Sequence, residues 1–366
     1  MVRSDLLDAI DDTLRRYRNP HKPFGGIQLL LIGDLQQLPP VVKDNEWTIM
    51  SQYYETPYFF SSIALKQLEY VTIELSHIYR QQDSKFINIL AAIRENRVSR
   101  EILDELNKRC VTEKTDFDDN EWIRLTTHNA TANSYNELRL AMLDEVPFTY
   151  KAKISGTFPE YSYPTDLSLT LKVGAQVMFV RNDTSTDKRY YNGRIGRVVS
   201  ISNNVITVRC NKETGEGTDT IVVKPEQWEN IKFSVDETTK EITEEVEGTF
   251  TQYPLRLAWA ITVHKSQGLT FSHAVLDINK SFAPGQAYVA LSRCRTLEGL
   301  ILSSPITERT VITDFDVIHF MERATADMET HKQSLPLLRY QFFYSLLSEQ
   351  FSFSTIANDY DHLMRI

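Results

Sequence analysis

Apolar positions along this chain follow a helical spacing at the start and a strand spacing soon after. Leu7, Ile10 and Leu14 recur on one helical face behind Ser4, so the opening predicts a helix that Ser4 caps. The apolar run at 27–32 is continuous and of strand length, which predicts a central parallel strand buried on both faces. The two patterns together indicate an α/β layer.

The segment from residue 61 to about 170 alternates between helical and strand-like patterns. Two runs with helical spacing begin behind good capping residues, Asp83 or Ser84 in the first case and Ser99 in the second. The predicted elements are a short helix at 61–68, strands at 70–75 and from Ile123, the two capped helices, and a helix from Asn129 to about Leu143. Residues 145–170 are rich in Pro, Tyr, Ser and Thr and are predicted to be irregular.

From about Leu171 the chain becomes a series of short strand-like runs. Turn signals such as Asn192-Gly193 and Asn203-Asn204 separate these runs. Several short strands this close together predict a small barrel. The buried-strand pattern returns at LAWAITV and is followed by a strand, a helix and another strand, so the barrel is predicted to be inserted within an α/β lobe.

The tail from about His331 has a helical pattern of its own. Pro336 is a residue that opens helices, and Leu338, Phe342 and Leu346 follow at a spacing of four. A second helix is predicted after Ser354. We expect the tail to pack on the preceding lobe; binding a partner and forming a separate module are the alternatives.

The net charge of −9 comes from one local stretch. Between Glu213 and Glu247 there are 11 acidic residues and 3 lysines, which leaves 38 acidic and 37 basic residues in the remainder of the 366-residue chain. DNA responds to the local field, so a balanced remainder is compatible with a basic groove. We interpret the acidic stretch as a solvated loop or hairpin face.

Composition limits the class of protein. The length predicts two or three compact units, and 42% apolar residues are enough for real cores. No apolar run reaches the roughly 20 residues needed to span a bilayer, and acidic residues interrupt the opening before a signal peptide can form. Cys110, Cys210 and Cys294 are far apart and predict neither a disulfide framework nor a metal site, so a cytoplasmic setting is expected.

Two polar segments carry side chains suited to phosphate chemistry. GDLQQLPPV places Asp34 and Gln37 just beyond the predicted strand at 27–32, where a carboxylate or an amide can orient water and sense a terminal phosphate. LSHIYRQ places Arg80 after the second predicted strand, where a guanidinium can cross a cleft to a phosphate. A polar strand-ending turn and an ordinary surface arginine are the alternatives.

Two later segments add further donors. AWAITVHKSQGLTF delivers hydroxyl, imidazole, ammonium and amide groups into one turn that Gly268 closes, a set that suits a phosphate backbone. GQAYVALSRCR places Gln286 and Arg293 on one helix face, with Arg293 as a candidate arginine finger. The alternatives are an ordinary turn and an arginine that caps the end of a helix.

These segments, together with LTTHNATANSYN, resemble motifs III to VI of superfamily-one DNA helicases in order and spacing. The similarity is greatest to the Pif-type and RecD-like branch, which moves 5′ to 3′, and covers about residues 1–305. The opening MVRSDLLDAID also resembles the segment directly after the D-E-x-S of a Walker B motif in that family. The resemblance implies two RecA-like lobes, with ATP in the cleft and single-stranded DNA across the top.

The resemblance also implies roles for individual residues. Gln37 would sense the γ-phosphate from the first lobe, and Arg80 and Arg293 would reach it from the second, which makes these three the catalytic candidates. Asp34 and Gln286 complete the nucleotide site, where Gln286 helps to position the nucleotide and Arg293. The residues matched to DNA binding, or to its coupling to ATP, are Thr126, His128, Asn129, Thr262, His264, Lys265, Ser266 and Gln267.

The predicted barrel resembles the small Src-homology-type insertion of the second lobe. It carries basic and aromatic residues that suit base stacking with phosphate tracking, and a solvated hairpin is the alternative. The residues are Arg181, Lys188, Arg189, Tyr190, Tyr191, Arg194 and Arg197.

One departure from the family is large. None of the 13 glycines is followed by lysine, so no G-x-x-x-x-G-K-[ST] phosphate cradle lies in this chain, and the Walker B acids are missing too. We therefore expect ATP and Mg²⁺, the cofactors of the intact enzyme, to bind this chain weakly and to be turned over negligibly by it. The exposed edges of the strand at 27–32 predict either poor order or pairing with another copy.

The predicted fold is α/β, with RecA-like P-loop NTPase lobes, an inserted small β-barrel and a helical tail. The predicted boundaries are 1–75 for a partial first lobe, 76–170 and 256–330 for the second lobe, 171–255 for the barrel and 331–366 for the tail.

The predicted function is that of the C-terminal portion of an ATP-dependent 5′–3′ DNA helicase. It would act on single-stranded or forked DNA and not at a membrane. A non-catalytic DNA-binding or assembly module is the chief alternative, and a RecD-like subunit of a nuclease complex is another. An in-frame phosphate cradle encoded upstream of Met1 would favour the motor, and a stop codon there would favour the module.

Overall fold

The computed structural model describes residues 1–111, 122–202, 205–212, 217–235 and 242–353. Its helices are α1 (Ser4–Tyr17), α2 (Asp44–Met50), α3 (Ser84–Arg94), α4 (Arg100–Asn107), α5 (Asn129–Ala141), α6 (Gln286–Leu291) and α7 (Phe315–Gln350). Its strands are β1 (Trp122–Thr126), β2 (Phe148–Lys151), β3 (Lys153–Gly156), β4 (Ser168–Leu171), β5 (Gln176–Phe179), β6 (Ile195–Ser202), β7 (Val205–Asn211), β8 (Thr218–Val223), β9 (Glu226–Val235), β10 (Ile242–Gln252), β11 (Leu255–Leu257), β12 (Ala260–Thr262), β13 (His273–Asp277) and β14 (Leu300–Leu302).

A parallel sheet with the strand order β12-β1-β13-β14 forms the centre of the larger unit. Ile123 and Leu125 of β1 are fully buried, and they share one core with Phe86 of α3 and Val289 of α6. Burial on both faces explains the continuous apolar runs of β13 and β14. Because β1 pairs in parallel with both β12 and β13, the carboxyl ends of these three strands lie side by side along one edge of the sheet.

Antiparallel strands form a second unit, whose place in the chain is between β1 and β12. A five-stranded sheet has the order β11-β5-β6-β7-β8, and β9 and β10 form a long hairpin that β3 extends. The strands predicted after Leu171 are confirmed, because Val198, Ile206 and Val208 alternate into a separate core. Closure of these strands into a barrel stays a prediction. The Asn203-Asn204 turn lies outside the described residues.

The segment 145–170 is more regular than predicted. It contains β2, β3 and β4, and β2 pairs with β4 while β3 pairs with β10. Short exposed strands carry little apolar alternation, and β3 has all four of its residues exposed. The prediction of irregular structure was therefore wrong here, because strand pairing, within the segment for β2 and β4 and with the distant β10 for β3, orders residues whose local pattern is weak.

The first 68 residues form a small unit around α1. Leu7 and Leu65 pack with Phe24, whose left-handed backbone (φ +52°) turns the chain back onto the helix. The predicted helix is confirmed, but its N-cap is Arg3 and not Ser4. Ser4 is buried in the first turn, where its amide donates to the carbonyl of Pro57 across 3.0 Å.

Two predicted strands are absent. The segments 27–32 and 70–75 have no strand partner among the described residues, and Leu30 and Ile73 are 83% and 74% exposed. An apolar run becomes a buried parallel strand only where neighbouring strands supply its hydrogen bonds and cover its faces. The short helix at 61–68 is present as two 3-10 turns, Phe59–Ser61 and Leu65–Gln67.

Helix α7 runs through the predicted tail without a break at Pro336. The prediction that Pro336 opens a helix was wrong, and the residues from 354 onward lie outside the described chain. Leu338, Phe342 and Leu346 are 40–59% exposed, so the expected packing of the tail is not found in the described chain. No described helix combines the length and apolar character needed to cross a membrane.

The start of α7 joins the first 68 residues to the larger unit. The hydroxyl of Tyr58 donates to Asp314 across 2.8 Å, and the rings of Phe60 and Phe320 stack at 4.5 Å. Val317 and Phe320 are buried at this junction. The junction fixes the position of the loop that follows residue 32 relative to the parallel sheet.

Candidate functional site

The loop at residues 33–40, called here the Gln37 loop, is organised by Asp34. One carboxylate oxygen of Asp34 accepts from the amide of Gln36 and the other from Nε2 of Gln37, both across 3.1 Å. Leu38 is 4% exposed and anchors the loop in the core of the larger unit. Asp34 thus fixes the direction in which the side chain of Gln37 points.

Two turns of the larger unit meet the Gln37 loop. Nε2 of Gln267, which follows β12, donates to Oε1 of Gln37 across 3.1 Å. Gly285, which precedes α6, has φ +74°, and a Cβ placed there would lie 2.3 Å from the carbonyl oxygen of Gln37. The approach is possible only because Gly285 has no side chain.

Arg80 and Arg293 lie together at the end of α6. Nη1 of Arg80 donates to the carbonyl of Ser292 across 3.1 Å. Gln81 is buried and donates to the same carbonyl across 3.1 Å and to that of Cys294 across 2.9 Å, which holds this segment in place. Two guanidinium groups therefore lie close together.

The guanidinium of Arg293 is 1% exposed and bonded within its own unit. It donates to the carbonyls of Val289 and Leu269 across 2.8 and 3.2 Å and to Oγ of Ser292 across 2.9 Å. Burial, followed by repulsion from Arg80, lowers the pKa of Arg293 to about 10. A nearby anion would relieve this repulsion, so the pair is suited to a phosphate.

Gln286 contributes a donor that lacks a partner. Its side chain is fully buried, its Oε1 accepts from the amide of Phe282 across 3.0 Å, and its Nε2 has no partner in the described chain. An unpaired buried donor costs about 1–3 kcal/mol. Gln286 lies at the start of α6 and the two arginines lie at its end, so both ends of this short helix carry donors suited to a polyanion such as ATP.

The space at this contact is small in the present conformation. A cavity lined by Gln37, Arg94, Gly285 and Tyr288 has a volume of about 30 Å³, which is enough for about one water molecule. The Gln37 loop therefore lies against α6 and must move away from it to admit a nucleotide here.

The residues matched to DNA binding separate into two groups. Thr126, Thr262 and Ser266 are buried, and their hydroxyls shape the turns; for example, Oγ of Ser266 donates to the carbonyl of Val263 across 2.7 Å. The second group is exposed at the adjacent carboxyl ends of β1 and β12, where it can reach a ligand. Its members are His128, Asn129, His264, Lys265 and Gln267.

Partial burial affects the charge of this edge. It lowers the pKa of His264, and it lowers that of Lys265 with a further contribution from Arg256. Cations that have lost part of their hydration gain more from a phosphate than fully hydrated ones.

Phe282 was missed at the sequence level. It follows β13, its ring is 59% exposed, and its centroid lies 5.1 Å from that of His128 and 6.4 Å from that of His264. A lone aromatic residue before Pro-Gly gives no local signal of function. The strand order brings these three rings together, and the strand order is not visible in the pattern.

The basic and aromatic residues of the inserted unit do not form one surface. Tyr190 is buried against Phe179 and donates to Glu226, and Arg194 is buried and paired with Asp219 across 2.7 Å. Arg181 lies over the ring of Trp228, next to Glu226, and Tyr191 is 44% exposed. The side chains of Tyr190 and Arg194 are thus buried and bonded within the inserted unit in this structure.

Comparison with known proteins identifies the relatives of the chain. The model of the PIF1-like helicase family matches residues 1–103. The ATP-dependent DNA helicase Pif1 of Bdellovibrio bacteriovorus is 32% identical over 88% of this chain and 68% of its own length. The ATP-dependent DNA helicase PIF1 of Homo sapiens is 35% identical over 82% of this chain, which spans only 44% of that protein.

Solved structures give the same result. A Bacteroides Pif1 in complex with ADP-AlF4 superimposes with a TM-score of 0.76 at 41% identity, covering 89% of this chain and 74% of that one. A Bacteroides Pif1 bound to ssDNA gives a TM-score of 0.68 at 41% identity over the same shares. The mixed α/β fold therefore matches that of Pif1 helicases with their RecA-like domains.

Proposed function

This chain belongs to the PIF1-like helicase family, and we propose that it forms the C-terminal portion of an ATP-dependent DNA helicase that moves 5′ to 3′ on single-stranded DNA. One observation carries the proposal. The Gln37 loop meets the turn of Gln267 and the start of α6, at whose end Arg80 and Arg293 lie. The relatives named as helicases, and those solved with ADP-AlF4 or ssDNA, support it.

In this proposal the residues where the Gln37 loop meets α6 bind the triphosphate of ATP. ATP, when bound, supplies the free energy of phosphoryl transfer. Gln37 orients the attacking water and Asp34 holds Gln37 in position, since the two are hydrogen-bonded. Arg80 and Arg293 stabilise negative charge on the phosphates, and the unpaired Nε2 of Gln286 helps to hold the nucleotide.

The DNA strand would lie across the carboxyl ends of β1 and β12. His128, Asn129, His264 and Lys265 are exposed there and would contact phosphates and bases. Gln267 belongs to the same turn as His264 and also contacts Gln37, so a strand that displaces this turn also displaces the Gln37 loop. This physical connection would couple each ATP cycle to movement of the strand.

The domain boundaries follow the same proposal. Residues 1–75 would belong to the first RecA-like lobe, 76–170 and 256–330 to the second, 171–255 to an inserted barrel and 331–366 to a helical tail. The interposition of β2–β11 between β1 and β12 of one sheet supports the insertion.

By itself, this chain should hydrolyse ATP negligibly. It contains no glycine followed by lysine, so the cradle that holds the β- and γ-phosphates is not supplied by these residues. Steady-state phosphate release from the purified chain with single-stranded DNA, ATP and Mg²⁺ checks this. Robust DNA-stimulated hydrolysis by a homogeneous sample would contradict it.

The chief rival is a non-catalytic DNA-binding module. Its binding of DNA would not respond to ATP, whereas a motor couples the two sites. The test is fluorescence anisotropy of a labelled oligo-dT strand titrated with this chain, with and without millimolar ATP and Mg²⁺. We expect ATP to change the affinity by at least about twofold in the wild type, and not in Arg293→Ala. DNA binding that is indifferent to ATP in both proteins would favour the rival.

A further inference from the structure

Three aromatic rings from three separate segments meet at the edge of the parallel sheet. His128 follows β1, His264 follows β12, and Phe282 lies five residues beyond the end of β13. These strands are neighbours in the sheet, since β1 pairs with both β12 and β13 in parallel. The ring of Phe282 lies between the other two, with centroid distances of 5.1 Å to His128 and 6.4 Å to His264.

The position of Phe282 is not that of a core residue. Its ring is 59% exposed, although large aromatic side chains gain most from burial. Ala287 and Val289 of α6 belong to the buried core of the larger unit, whereas the ring of Phe282 does not. An exposed ring held among other rings is the arrangement that stacks on planar ligands.

The ring is also held in place. The amide of Phe282 donates to Oε1 of the buried Gln286 across 3.0 Å. The preceding residue, Ser281, bonds the carbonyl of Ile278 through its amide and its hydroxyl, at 3.1 and 2.7 Å. His128 is fixed through Nδ1, which lies 2.7 Å from Oγ1 of Thr127. Because the backbone that carries the ring of Phe282 is already held, less entropy is lost when a ligand stacks on the ring.

We propose that Phe282 is a nucleobase-stacking residue of the DNA site, with His128 and His264 beside it. The inference rests on the proposed function and deepens it by naming the part of the DNA that is recognised. A base in a single strand exposes its π face, whereas a base inside a duplex is covered by its neighbours. Stacking also accepts any base, which suits an enzyme that moves along DNA of every sequence.

The stacking residue is directly connected to the nucleotide site. Gln286 accepts from the amide of Phe282 through Oε1, and its Nε2, which has no partner in the described chain, is the donor that we propose helps to hold the nucleotide. A shift of the Phe282 backbone therefore moves the donor on Gln286. Phe282 is thus a second link between DNA and ATP, separate from the bond between Gln267 and Gln37.

The test compares two strands that have the same number of phosphates. One is fluorescein-labelled oligo-dT, and the other carries abasic tetrahydrofuran units in place of the thymidines. Anisotropy titrations of the full chain with both strands separate the contribution of the bases from that of the backbone. The variants are Phe282→Leu, which removes the ring, and Phe282→Tyr, which keeps it. Phe233→Leu is the matched control, because Phe233 is also exposed (62%) but lies on the β9–β10 hairpin.

We expect Phe282→Leu to weaken binding of oligo-dT by about tenfold, which is the effect of losing one stacked base. Its affinity for the abasic strand should match that of the wild type. Phe282→Tyr and Phe233→Leu should bind both strands as the wild type does. Because Phe282 is exposed, these substitutions should leave the melting temperature unchanged, which excludes misfolding as the cause.

The outcomes separate this inference from the proposed function. If the wild type binds oligo-dT and Phe282→Leu binds it equally well, the stacking role is overturned and the proposed function stands. If Phe282→Leu weakens both strands to the same extent, the residue acts on the backbone path and the stacking role is again overturned. If the wild type does not bind oligo-dT, the proposed function fails and the stacking role fails with it.

Discussion

Nε2 of Gln267 donates a hydrogen bond to Oε1 of Gln37 across 3.1 Å, and the two residues lie 230 positions apart in the sequence. The bond joins the turn that follows β12 to the loop that Asp34 organises. The first of these segments is assigned to DNA and the second to the nucleotide. A single exposed hydrogen bond thus connects the turn proposed to bind DNA with the loop proposed to bind the nucleotide.

Replacing Gln267 with alanine should separate DNA binding from the response to ATP. One exposed hydrogen bond contributes about 1 kcal/mol, so the free energy of unfolding should change little. The effect of ATP on the affinity for oligo-dT should be reduced or lost, because the link between the two segments is removed. Gln227→Ala is the control, since Gln227 is exposed and bonds Glu229 far from the site. A Gln267→Ala protein whose DNA affinity still responds to ATP as the wild type does would contradict this role.

Gly285 and Gly268 should respond differently to alanine. Both have positive φ, +74° and +84°, but a Cβ at position 285 meets the carbonyl oxygen of Gln37 at 2.3 Å, while one at position 268 meets nothing within 4 Å. Gly268→Ala should cost only the left-handed strain of about 1–2 kcal/mol. Gly285→Ala should cost more and should also displace the Gln37 loop.

Urea unfolding of the two glycine variants measures the difference in the free energy of unfolding. Limited proteolysis within residues 33–40 reports displacement of the loop. Equal losses of stability in the two variants, with no new cleavage in Gly285→Ala, would show that the contact seen here is not kept in solution.

Binding of DNA should depend on pH through His264. Partial burial lowers the pKa of this imidazole below its usual 6.5, so it is neutral near pH 7. A phosphate favours the charged form, and DNA affinity should therefore rise as the pH falls from about 7.5 to about 5.5. In His264→Gln the rise in DNA affinity should be smaller, because protonation of His264 no longer contributes to it.

The same lowered pKa affects stability with a defined sign. Below about pH 6.5 the unfolded chain binds a proton at His264 before the folded chain does, so the contribution of this residue to the free energy of unfolding falls as the pH falls. Denaturant titrations of wild type and His264→Gln at several pH values check this. The idea is refuted if both proteins show the same pH dependence of stability and of DNA affinity.

The apolar residues at 27–32 should promote self-association. Leu30 and Ile32 are 83% and 88% exposed and lie in a segment that has no strand partner in the described chain, which makes it a template for pairing with another chain. The double variant Leu30→Lys, Ile32→Lys should be more monomeric in sedimentation velocity and should keep its melting temperature. A wild type that is strictly monomeric, with amides at 27–32 protected from exchange, would contradict the prediction.

Sequence pattern was a reliable guide where structure depends on local interactions. Either Asp83 or Ser84 was expected to cap one helix and Ser99 another, and the side chains of Asp83 and Ser99 accept from amides in the first turn of α3 and α4. The strands from β6 to β8 were visible because burial alternates along them, and β5 was visible as a short run that is buried throughout. Helix caps and strand alternation each depend on a few neighbouring residues, and they can therefore be predicted without knowledge of the fold.

Pattern failed where structure depends on distant partners. The run at 27–32 has the composition of a buried strand, but no described strand lies beside it, and most of its apolar side chains are exposed. The meeting of the Gln37 loop with Gly285 was not predicted, because it depends on the approach of two segments that are distant in the sequence. Phe282 was overlooked, because only the strand order shows that it lies between His128 and His264. The continuation of α7 through Pro336 likewise contradicts a local rule.

The central claim is that Gln37, Arg80 and Arg293 face one bound nucleotide. Photolabelling with an ATP analogue that carries an aryl azide on its γ-phosphate, followed by peptide mapping, tests this most directly. Because ATP is expected to bind this chain weakly, the account predicts labelling at millimolar analogue of peptides that contain Gln37 and of peptides that contain Arg80 or Arg293, competed by excess millimolar ATP and reduced in Arg293→Ala. Labelling confined to other surfaces, or labelling at these peptides that ATP does not compete, would contradict it.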